Sequence, residues 1–197
     1  DTSFKPWAAC RHAHPVIEAV LGIRDGLDSG AVAGIDIFTY LEAVEFCDKP
    51  APGSADEARF SLQHCAALTL VKGAPVLADF EAEALADAAV AALRGKVTVS
   101  EDAQFTKGFP ERYGARLEVR LGDGTRRQAS VATAKGDPEN PMSGAEIEAK
   151  GRANMDAAGL GPEEAERLIA ACRSLADGGP IAALGDVLAE APVRAEK

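Results

Sequence analysis

The feature that most constrains this chain is a pair of alternating segments joined by Gly122, Asp123 and Gly124. From Ala115 to Leu121, Leu117, Val119 and Leu121 alternate with Arg116, Glu118 and Arg120. Period-two alternation gives a strand one apolar face and one polar face. A second segment runs from Arg126 to Thr133, and a Gly-Asp-Gly connection suits the tight turn of a β-hairpin. A hairpin with one apolar face needs further strands beside it and helices across it.

The preceding residues offer both. Ile35, Ile37, Thr39 and Leu41 alternate with Asp36, Phe38, Tyr40 and Glu42 as a strand, and Lys96 to Ser100 reads as another. Pro15 fits the first turn of a helix whose apolar positions Val16, Ile17, Val20, Leu21, Ile23 and Leu27 recur at helical spacing. Two more helices are expected, at about 55 to 72 and 79 to 94, and these two are expected to cover the sheet. Residues 1 to 136 therefore read as an α+β fold, a two-layer domain of a mostly antiparallel sheet of about four strands packed with helices.

Lys135 to Ser143, KGDPENPMS, reads as a polar, proline-punctuated linker. Residues 143 to 197 are a C-terminal helical segment. Ser143 and Glu146 make a capping box; Pro162 opens a helix striped with Leu168, Ile169, Cys172 and Leu175; Pro180 opens one with Ile181, Leu184, Val187 and Leu188. Those stripes need a partner, and a homodimer is the expected solution.

A net charge of -10 over 197 residues argues against nucleic acid and anionic membrane surfaces as partners. No apolar run reaches the roughly 18 residues of a membrane helix, so the chain reads as cytoplasmic. The four cysteines form no CxxC pair, which disfavours a cluster, and two of them lie within apolar helical patterns as free thiols. The first residue is Asp1 rather than Met, which reads as a processed chain or a fragment.

Chemistry concentrates in KPWAACRHAH, from Lys5 to His14, against this acidic background. His14 falls at or next to the N-cap of the helix opened by Pro15. A helix start with Lys5 and Arg11 close by suits an anion, and a carboxylate is the natural occupant. The alternative is a solvated loop in which His14 merely caps the helix. Cys10, His12 and His14 have ligand-like spacing, but no second Cys/His pair completes a tetrahedron, so no metal is expected.

Three patterns in one order carry a family resemblance: Lys5, Cys10 and His14; DEARFSLQHCAALTL from Asp56 to Leu70; and GDPENPMS from Gly136 to Ser143. Together they resemble the MmgE/PrpD family of dehydratases, decarboxylases and epimerases. The resemblance covers only the C-terminal part of a family member. It implies a lid-like domain over residues 1 to 136, and helices over 143 to 197 that in the family pack on an N-terminal helical domain absent here. It implies a cofactor-free lyase, dehydratase-like, acting on a small di- or tricarboxylic acid such as 2-methylcitrate, with a place in propionate catabolism. This fragment alone is expected to be inactive. Lys5 and His14 are implied as catalytic, and Arg11, His12 and Phe46 as substrate-binding. Two departures stand out. The decarboxylase branch has tyrosine where this chain has Phe46, which weakens a decarboxylase reading. The family's usual Lys-Phe is here Lys150 and Gly151, which removes an aromatic anchor. Epimerisation, decarboxylation and a non-catalytic binding or assembly module derived from the family are the alternatives.

Overall fold

Pro15 has no amide hydrogen to lose and sits in the first turn of helix α1 (His14–Ile23), whose Val16, Ile17 and Val20 are wholly buried. There follow β1 (Val32–Thr39), α2 (Leu41–Cys47), α3 (Ala55–Arg59), α4 (Leu62–Lys72), α5 (Ala82–Leu85), α6 (Ala88–Arg94) and β2 (Val97–Glu101). Then come α7 (Ala103–Gly108), β3 (Ala115–Leu121), β4 (Arg126–Val131), α8 (Gly144–Ala157), α9 (Pro162–Ala176) and α10 (Ile181–Glu190). The computed structural model describes residues 2–190, and the chain divides into two units, residues 1–141 and 142–197. No helix among the described residues is long and apolar enough to cross a membrane.

The sheet has the order β2-β1-β3-β4 and is mostly antiparallel. Only β1 and β2 run parallel, since the helical excursion α2 to α6 lies between them and parallel neighbours need a long crossover. Ile35, Ile37, Leu117 and Val119 point to one face and are fully buried. Burying a side chain of this size contributes about 1.5–3 kcal/mol. The other face is polar: Arg120 pairs with Asp36 at 3.1 Å, Arg126 with Glu118 at 2.6 Å, and the Arg116 guanidinium lies 4.0 Å over Phe38. Exposed pairs of this kind add roughly 0–1 kcal/mol each, so the apolar face holds the layers together.

Several local expectations are corrected. Of the helices expected at 55 to 72 and 79 to 94, the end of the first, α4, does cover the sheet, but its partner in that layer is α1, and α6, the end of the second, packs on α4. The first of those is broken: Ser61 Oγ accepts from His64 N at 2.9 Å and donates to the Lys49 carbonyl at 2.6 Å, so it caps a new helix, α4. The second is broken too, because Asp87 caps α6 by accepting from the Ala89 and Val90 amides. Strand β1 stops at Thr39; the alternation continues two residues further only by coincidence, and Tyr40 is buried in front of α2. Helix α7, capped by Asp102, is too short to show periodicity and is not foreseen.

In the second unit, Ser143 and Glu146 form the capping box: the Glu146 amide donates to Ser143 Oγ at 3.3 Å and the Ser143 amide to Glu146 Oε2 at 2.7 Å. Ile169 is buried, whereas Ile181 and Leu188 remain 73% and 55% exposed. A groove of about 640 Å³ runs along α8, α9 and α10, lined by Ile147, Met155, Leu168 and Leu184 among others.

Candidate functional site

The stretch before α1 is held by the segment read as a linker. Gly136 has φ +93°, its carbonyl accepts from the Phe4 amide at 2.9 Å, and its amide donates to the Asn140 carbonyl at 2.7 Å. A side chain there would be strained, and its Cβ would stand 1.8 Å from the Phe4 carbonyl oxygen. Asp137, 4% exposed at its side chain, pairs with Arg11 at 2.5 Å, and Asn140 Nδ2 donates to Glu18 of α1 at 3.0 Å. GDPEN is therefore a docked turn, not a loose linker, and it clamps the loop that carries Lys5 to His14.

One carbonyl gathers two of the residues singled out from sequence. Ala9 O accepts from Lys5 Nζ at 3.2 Å and from His14 Nε2 at 3.3 Å. Since a carbonyl can only accept, this bond puts a proton on Nε2 of His14. His14 is the first residue of α1 beside its cap Ala13, wholly buried, with Trp7 edge-on at 5.3 Å. A 3-10 turn, Arg11–Ala13, runs directly into the helix. The Ala13 and His14 amides are thereby bonded to the Cys10 and Arg11 carbonyls, so they do not open towards a ligand as a bare helix start would.

The remaining predicted residues meet in an aromatic cluster. His12 Nδ1 is hydrogen-bonded to the Tyr40 hydroxyl at 2.5 Å, and its ring stacks on Phe46 at 5.9 Å with 11° between planes. Tyr113 lies 5.6 Å from His12, Phe109 stacks on Tyr40 at 4.7 Å, and the Arg11 guanidinium sits 4.0 Å over Tyr113. Burial, and then the Arg11 charge, push the His12 pKa down, against a smaller opposing pull from Glu42. Burial likewise pushes Tyr40 up. The result is a neutral imidazole and a protonated phenol in direct contact, a pair able to hand on a proton. Tyr40, Phe109 and Tyr113 are missed by sequence reasoning. The one available signal is that the chain has just 2 tyrosines, and both are here.

Cys10 is half-buried against the apolar core that holds Cys47, the last residue of α2. His12 and His14 turn to different partners, Tyr40 and the Ala9 carbonyl, and no group of three or more potential metal ligands is assembled among the described residues.

Residues 7–177 match the MmgE/PrpD C-terminal domain. The chain is 30% identical over 124 residues to a 2-methylcitrate dehydratase of Cupriavidus necator, a match covering 58% of this chain and 26% of that protein. It is 27% identical over 160 residues to a cis-aconitate decarboxylase of Mus musculus, covering 78% of this chain and 33% of that protein. The chain spans a third or less of the length of these relatives.

Proposed function

The chain belongs to the MmgE/PrpD family, and we propose that it forms the C-terminal part of a cofactor-free, dehydratase-like lyase acting on a small di- or tricarboxylic acid such as 2-methylcitrate. The observation that carries this reading is the Lys5 ammonium fixed on the Ala9 carbonyl, which His14 holds from beneath. Removing a proton beside a carboxylate builds enolate-like charge, and a placed cation stabilises it. Lys5 takes that role. His14, buried, acts by fixing the loop. His12 and Tyr40 hold or pass a proton, Phe46 walls the site, and Arg11, paired with Asp137, adds positive potential. This reading takes the base that starts the reaction from outside these residues, and the residues alone are then expected to be inactive. Cytoplasmic residence and a part in propionate catabolism belong to the same reading.

NMR titration of the chain with 2-methylcitrate tests it. Shifts should centre on Lys5, Arg11 and His12, and Lys5→Ala should weaken binding about tenfold or more, as loss of a charged contact does. Lack of binding at millimolar acid, or equal binding by Lys5→Ala, would sink the proposal. In a complete enzyme, Lys5→Ala should cut kcat/KM by about two orders of magnitude. Product analysis there separates water loss from epimerisation or decarboxylation.

The exposed Ile181 and Leu188 beside the apolar groove favour a second reading, an assembly module that pairs as a homodimer through α9 and α10. Sedimentation equilibrium at micromolar concentration decides that: a monomer binding no hydrophobic dye removes it.

A further inference from the structure

We propose, resting on the reading of the site given above, that the buried Tyr40 hydroxyl fixes His12 in a single tautomer, so that the imidazole meets the bound acid as a neutral Nε2–H donor and not as a base. The two residues are 28 apart in sequence, His12 in the 3-10 turn Arg11–Ala13 and Tyr40 between β1 and α2, and His12 Nδ1 lies 2.5 Å from the hydroxyl. Tyr40 is wholly enclosed, with Phe109 stacked on its ring at 4.7 Å and Tyr113 edge-on at 5.6 Å. Among the described residues, His12 Nδ1 is the hydroxyl's one hydrogen-bond partner.

That isolation decides where the proton sits. If Nδ1 carried a hydrogen and gave it to the phenol oxygen, the phenol's own hydrogen would be buried with nothing to accept it. If the phenol donates to Nδ1, both groups are satisfied. An unsatisfied buried donor disfavours the first arrangement about tenfold or more. Burial and the Arg11 charge keep the ring neutral against the pull of Glu42, and burial keeps Tyr40 a phenol. A neutral ring that accepts at Nδ1 carries its hydrogen on Nε2. Turning the ring over would set a ring carbon against the hydroxyl.

The second nitrogen faces outward. His12 is half-buried, and its Nε2 has no hydrogen-bond partner among the described residues, nor is it one of the buried polar atoms that lack one. It is therefore open to solvent. His14 and His64, the other two histidines, are wholly buried, so His12 is the histidine whose ring can meet a ligand. Phe46 lies 5.9 Å away and nearly parallel, covering one face of the ring and leaving its edge for the approach. An Nε2–H suits a carboxylate or enolate oxygen, which accepts and does not donate. With Nδ1 occupied by the phenol hydrogen and Nε2 already protonated, the neutral ring keeps no lone pair to take a proton from the substrate.

Two-bond proton–nitrogen NMR of the 197-residue chain at pH 7 tests this, His12 being assigned by the signals lost in His12→Asn. The expected pattern is a protonated-type Nε2 and an unprotonated-type Nδ1; the reverse pattern, or an average of the two, overturns the proposal. Tyr40→Phe keeps the ring and removes only the hydroxyl, so in the folded variant both nitrogens should move towards the averaged shifts of an unfixed imidazole. Unchanged nitrogen shifts there would show that Tyr40 does not set the tautomer. Should Tyr40→Phe not fold, the wild-type pattern decides. Adding 2-methylcitrate to the wild type should shift Nε2 and its hydrogen while Nδ1 stays unprotonated. Acid that perturbs Lys5 but leaves Nε2 unmoved, or that protonates both nitrogens, overturns the donor role and spares the reading of the site. No perturbation at either Lys5 or His12 sinks that reading and the donor role together.

Discussion

Mild acid should destabilise the first unit through His64, and the size of the effect can be worked out. His64 lies in α4, fully buried, with Arg94 Nη1 of α6 donating to its Nδ1 at 3.2 Å and Phe80 at 6.1 Å. Burial, then the Arg94 charge and more weakly Lys72, push its pKa down from 6.5 to about 4, against a smaller pull from Asp79. Protonation would also set an N–H against the guanidinium's own N–H. Above pH 6.5 both states hold a neutral ring. As pH falls below that value the unfolded chain takes up a proton that the folded one refuses, so stability drops until about pH 4. At 1.36 kcal/mol per pKa unit the full loss is about 3 kcal/mol, of which roughly 2 appears by pH 5. His12, lowered for like reasons, adds to it with the same sign. The depressed carboxyls Asp87 and Asp123 of this unit lose their contribution only as pH falls below 3.8, outside the window. Urea unfolding at pH 7, 6 and 5, followed by fluorescence of the sole tryptophan, Trp7, reads this unit selectively. Equal free energies at pH 7 and pH 5 would refute the reasoning, as would an undiminished pH slope in a folded His64→Gln variant.

Three further outcomes follow from the clamp and the cluster. Gly136→Ala forces a left-handed residue and a clash onto the Phe4 carbonyl, so it should cost about 2 kcal/mol or more and speed proteolysis within residues 2–9; unchanged cleavage would show that the turn does not hold the loop. Asp137→Asn leaves the Arg11 charge without its counter-ion; with Arg11 36% exposed and so partly screened by solvent, the expected loss is about 1–2 kcal/mol by urea titration, shrinking as salt is added. His12 should titrate below free histidine by NMR, and Arg11→Gln should raise its midpoint; a midpoint at or above 6.5 in the wild type would contradict its placement beside Arg11.

Period and punctuation decided much by themselves. Alternation in Ala115 to Leu121 fixed which side chains of β3 face inward, Gly-Asp-Gly set the hairpin, and Pro15, Ser143 and Pro162 marked helix starts, because each is a local property of a few consecutive residues. Lys5, Arg11, His12 and His14 stood out as positive or titratable groups in an acidic chain. The sequence did not show that GDPEN folds back on Phe4 and Arg11, that β2 lies parallel beside β1, or that Ser61 and Asp87 break long helical patterns. Nor did it place Tyr40, Phe109 and Tyr113 around His12. Apart from the local Asp87 cap, each of these depends on contacts between residues distant along the chain. Apolar and aromatic side chains carry no address for a particular partner, and only closing the sheet beneath α1 and α4 brings these groups within a few ångströms of one another.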